Sequence, residues 1–152
     1  MPKIDSYKGA IQEKRFEYKG FPCVVLMQAL GFRTGYVGIP KGHELYGVGY
    51  GNIDIDCHGG LTYSSNYLID QNDDDMWWIG FDCGHYCDGY DMDRAVELFK
   101  DYPEVIKQIN SMQEIDIFNI YTSEHAKSLK FCEEQCRLIV DQLEVQADEN
   151  NE

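Results

Sequence analysis

No apolar run in this 152-residue chain approaches the roughly 18 residues that a membrane-spanning helix requires. The opening stretch MPKIDSYKGAIQEKRF lacks the apolar centre of a secretion signal, so a cytoplasmic setting is expected. In that setting the six cysteines are expected to be thiols. Neither Cys83 with Cys87 nor Cys132 with Cys136 has CxxC spacing, which argues against a zinc ribbon. Basic residues are scarce: 13 Lys and Arg stand against 27 Asp and Glu, giving a net charge of −14. Direct binding to a nucleic-acid backbone is therefore disfavoured, because that affinity comes from cations displacing counterions. Tight catalytic signatures such as HExxH are also missing, and there is no internal repeat. The glycine-rich GVGYGN lacks the Lys-Ser/Thr of a phosphate-binding loop.

What is present is a series of alternating apolar patterns. KRFEYKG places Phe16 and Tyr18 on one side, and PCVVLMQAL is a continuous apolar run suited to a strand covered on both faces. Gly20 with Phe21-Pro22 supplies the turn between them, and FRTGYVGIP makes a third strand that ends at Pro40. NIDIDCHGG alternates as well, with Ile53, Ile55 and Cys57 opposite Asp54, Asp56 and His58. LTYSSNYLID, the acidic tip QNDDD and MWWIGFDC complete the strand-like half.

The remainder is expected to be largely helical. DMDRAVELFKDYPEVIKQINSM starts with acidic residues that suit a helix N-terminus, and Pro103 divides it. After the strand-like EIDIFNIY, Thr122 or Ser123 is a good cap. The following helix carries Leu129, Cys132, Cys136, Ile139 and Leu143 on one stripe. The expected fold is α+β: a mostly antiparallel sheet of five or six strands packed by C-terminal helices. One domain would cover residues 13–143, after a loosely ordered lead-in at 1–12 and before an acidic, disordered tail at 144–152.

The densest chemistry lies between Asp54 and Asp91. In MWWIGFDC, Trp78, Gly80 and Asp82 share the face opposite Trp77, Ile79, Phe81 and Cys83. If this strand neighbours 53–58, then Asp56, His58, Trp78 and Asp82 meet on one surface. His43 and Tyr46 in the glycine-rich loop, and His85 and Asp88 after the strand, would close over it.

Three ordered motifs carry a resemblance: GYVGIPKGHELYG (Gly35–Gly47), IDCHGGLTYS (Ile55–Ser64) and WWIGFDCGH (Trp77–His85). With the amphipathic C-terminal helix, they resemble a group of small phage- and prophage-encoded proteins over most of residues 35–143. Gly84, Tyr86 and Cys87 depart from the group's pattern around the last histidine. The resemblance implies work inside an infected bacterium; it implies no reaction.

Several functions fit these residues. The first is capture of a polar, nucleotide-like ligand by His43, Tyr46, His58, Trp78, Asp82 and His85, in a counter-defence role. The second is a hydrolase with a divalent metal held by His58, His85, Asp56 and Asp88. Without metal, His58 or His85 can serve as general base, oriented by Asp56 or Asp82. In the third, the acidic surface, including Asp73–Asp75 and the tail, occupies a basic host protein. Solubility is the plainer reading of the same acidity. The tyrosines, 11 in number, suit strand packing, a ligand surface or a symmetric dimer interface.

Overall fold

The alternating segments converge on one sheet. The computed structural model describes residues 4–5, 9–29, 31–69, 71–72, 75–84, 89–114 and 126–150. Its strands are β1 (Ile4–Asp5), β2 (Ala10–Tyr18), β3 (Phe21–Gln28), β4 (Arg33–Pro40), β5 (Tyr63–Ser65), β6 (Tyr67–Leu68), β7 (Gln71–Asn72) and β8 (Met76–Asp82). Six of them form a sheet in the order β1-β2-β3-β4-β8-β5, antiparallel throughout, while β6 and β7 pair separately. Among the described residues three α-helices follow: α1 (Met92–Leu98), α2 (Pro103–Glu114) and α3 (Leu129–Asn150). The chain is a single α+β domain.

The β2–β3 hairpin shows how the sequence sets the register. Tyr18 pairs with Phe21, leaving Lys19 (φ 51°) and Gly20 (φ 85°) as the two turn residues. Both are left-handed, which matches the twist of the flanking strands and is easiest for glycine. The apolar run of β3 is covered on both faces. Cys23 and Val25 join the cluster beneath α3; Val24 and Leu26 join one with Tyr36, Trp78 and Leu68 on the other side. On α3, Cys132, Cys136, Ile139 and Leu143 are fully buried. Ile139 and Leu143 each contribute about 1.5–3 kcal/mol relative to exposure.

A bulge between Gln12 and Lys14 interrupts the β2–β3 ladder. It delivers Glu13 to the helix side, where Arg33 meets it at 2.6 and 3.2 Å and Arg94 at 2.9 Å. Arg33 also reaches Asp91 at 3.0 Å and the Lys127 carbonyl at 2.9 Å. The ion network thus joins β2, β4, the start of α1 and the chain leading into α3. Asp91 caps α1 by accepting from the Arg94 N–H, and Pro103 opens α2 where no N–H is needed.

Several expectations are corrected. Residues 10–12, assigned to the lead-in, belong to β2, and α3 continues through Asn150, past the boundary at 143. The cap of α3 is Ser128, whose Oγ accepts from the Phe131 N–H at 3.1 Å, not Thr122 or Ser123. Those two, and residues 115–121, lie outside the described residues. Most consequential, residues 53–58 are not a strand of the sheet. None of the helices among the described residues is long and apolar enough to cross a membrane.

Candidate functional site

Residues 53–58 run extended along α3, and side chains of the helix take the place of a neighbouring strand. Gln142 donates from Nε2 to the Asp56 carbonyl at 2.7 Å and accepts the Asp56 N–H at Oε1 at 2.8 Å. Gln135, seven residues earlier, accepts the His58 N–H at 2.9 Å. Ile53 and Ile55 turn into the core beneath α3, which leaves Asp54 and Asp56 exposed. The alternation read from the sequence is real; its hydrogen-bond partner is a helix.

This placement divides the proposed pocket. His58 lies on the helix side, its ring edge-on to Phe131 with centroids 5.3 Å apart. His43 is on the same side: its Nδ1 accepts the Leu45 N–H at 3.1 Å and its ring meets Phe21 edge-on at 6.1 Å. Tyr46 packs near Trp77, whose Nε1 donates to the Val48 carbonyl at 2.9 Å. Trp78 is on the opposite face, buried with Tyr36 and Leu68, and the Arg15 guanidinium sits 5.7 Å from its ring centroid. Asp82 shares that strand phase; it accepts from Thr62 Oγ1 and the Gly84 N–H, each at 3.0 Å. The sheet therefore separates Asp56 and His58 from Trp78 and Asp82, and the shared surface expected of them does not form. His85, Cys87 and Asp88 lie outside the described residues, as do Asp73 and Asp74; Asp75 is exposed.

The chemistry left to these groups is limited. Among the described residues no three His, Cys, Asp or Glu side chains gather as a metal site. The aromatic face is filled by its own rings, with Tyr36 edge-on to Tyr63 at 5.2 Å. A hollow beside them measures about 10 Å³, room for one water but not for a ring. Cys57 is a free thiol, as are Cys23, Cys132 and Cys136. Burial, with Asp56 adding to it, pushes the Cys57 thiol up to about 11, away from a nucleophile's range.

What the fold does assemble is a surface on the outer side of α3. Asp54 and Asp56 border it on the 53–58 side, and Glu134 is exposed on the helix itself. Between them run Phe131, Leu138 and Val145; the latter two are 43% and 56% exposed. The sequence carried this signal as a second, heptad-spaced stripe on the helix, beside the core stripe that drew attention first. No family model, curated protein or solved structure matches the chain.

Proposed function

We propose that this chain is an acidic binding protein that occupies a basic protein partner, a counter-defence inhibitor if the phage-like motifs reflect its origin. One observation carries the reading. Gln142 ties Asp56 to α3 at two points, so the exposed carboxylates of Asp54 and Asp56 sit on a segment fastened to the helix that carries Glu134. Preset charge of one sign accelerates encounter with an oppositely charged surface and disfavours wrong partners. The net charge of −14 adds a long-range attraction of the same sign. A metal-dependent hydrolase has no group of three His, Cys, Asp or Glu side chains among the described residues to hold its ion.

The test is affinity capture from bacterial extract on the immobilised chain. The triple variant Asp54→Asn, Asp56→Asn, Glu134→Gln serves as control, since it changes exposed side chains only. The expected result is a basic protein retained by the wild type, released by salt and absent from the variant. A protein retained equally by both would contradict the proposal.

A further inference from the structure

We infer that the partner element seated on this surface is an amphipathic helix whose apolar stripe is flanked by Lys or Arg. The inference rests on the acidic-binding reading and deepens it. Phe131, Leu138 and Val145 recur every seven residues on α3. Seven residues are close to two helical turns, so the three side chains follow one line about 20 Å long. That line is distinct from the buried stripe of Cys132, Cys136, Ile139 and Leu143. Leu138 and Val145, with Tyr50, are the large apolar side chains most exposed among the described residues. Two of those three thus sit on one helix, in register.

The borders of the stripe select the occupant. Gln142 Nε2 lies 2.7 Å from the Asp56 carbonyl and 3.1 Å from that of Leu138, so Asp56 stands directly beside the stripe. Asp54 continues that edge. On the other edge Glu134 stands one helical turn before Leu138, while Asp141, one turn after it, is already paired with Lys19. Three neighbouring cations already engage groups of this chain. Arg137 stacks over Phe16 and Tyr18, Lys19 binds Asp141 and Glu144, and Lys127 covers the Phe131 ring at one end. Lys130 is exposed, one residue before Phe131 at the start of the helix. An apolar seam with acidic edges is the arrangement by which paired helices choose a basic-edged partner. A second copy of this chain would bring like charges together along the seam, which is repulsive.

The probe is a labelled synthetic peptide repeating a heptad, with Leu at the two seam positions and Lys at the two flanking ones. A scrambled peptide of equal composition is the control, and fluorescence anisotropy with the intact chain is the readout. The heptad peptide is expected to bind at least about tenfold more tightly than the scramble, a difference of about 1.4 kcal/mol. Leu138→Ser with Val145→Ser should remove that preference while leaving the melting temperature unchanged. Equal binding of the two peptides would overturn the inference but leave the acidic-binding reading standing on capture of its partner. So would failure of both peptides to bind. A wild-type dimer in sedimentation that dissociates in the double-serine variant would assign the stripe to a second copy and also overturn it.

Discussion

Gln142 and Asp56 form a two-point pair, amide side chain to backbone, with bonds of 2.7 and 2.8 Å. One strand residue offers its neighbour the same pattern of donor and acceptor. Replacing Gln142 by Glu keeps the acceptor and removes the donor, leaving a carboxylate against the Asp56 carbonyl. The expected cost is about 1 kcal/mol in denaturant unfolding, the usual scale of one partly exposed hydrogen bond. Hydrogen exchange of the Asp56 amide should quicken selectively. Unchanged exchange there would show that the strap is held by Ile53 and Ile55 alone.

A second prediction concerns the interior ion network. The Glu13 and Arg33 side chains are only 1% and 5% exposed. Glu13→Gln preserves shape but leaves the Arg33 charge short of its main partner. A loss of about 3–5 kcal/mol is expected from urea unfolding, as for other buried pairs broken on one side. A loss below about 1 kcal/mol would mean that Asp91 suffices to hold Arg33.

Gly80 gives a third. A Cβ there would lie 2.5 Å from the Tyr36 ring and 2.6 Å from the Gly35 carbonyl, in the middle of paired strands. Gly80→Ala should cost about 1–3 kcal/mol by overpacking. Gly49→Ala meets nothing within 4 Å and should be close to neutral, which makes it the internal control for the same thermal-unfolding measurement.

These positions also mark how far the sequence could be read. The β2–β3 hairpin and the two faces of β8 follow from alternation and from Gly20, because each strand's pattern names its own buried side; Phe21 and Pro22, read as part of the turn, instead open β3 opposite Tyr18 and Glu17. Glu13 does not follow, since the bulge reverses the phase of the strand for one residue and no local signal announces it. Alternation also led astray at 53–58. A period of two reports extended backbone, and it cannot say whether the neighbour is a strand or, as here, glutamines on a helix some 80 residues later. The site expected from pairing 53–58 with β8 failed for that reason, while the stripe on α3 went unread beside the stronger core stripe.

The Cys57 thiol supplies a pH prediction. Burial holds it at about 11 in the folded chain, against an ordinary value of 9.0. The unfolded chain loses this proton first, so the contribution to stability is complete below pH 9 and is lost as pH rises toward 11. Alkylation of Cys57 should stay slow at neutral pH and accelerate within that window, followed by peptide mass spectrometry. Rapid labelling at pH 7 would contradict the burial that raises it.

The central claim is that carboxylates fixed on α3 and on residues 54–56 attract a basic partner. It is tested most directly by titrating the captured partner against wild type and the Asp54→Asn, Asp56→Asn, Glu134→Gln variant over a series of salt concentrations. The account predicts that wild-type affinity falls steeply as salt rises, and that the variant binds weakly with a shallow slope. Equal affinities, or a wild-type affinity indifferent to salt, would contradict it.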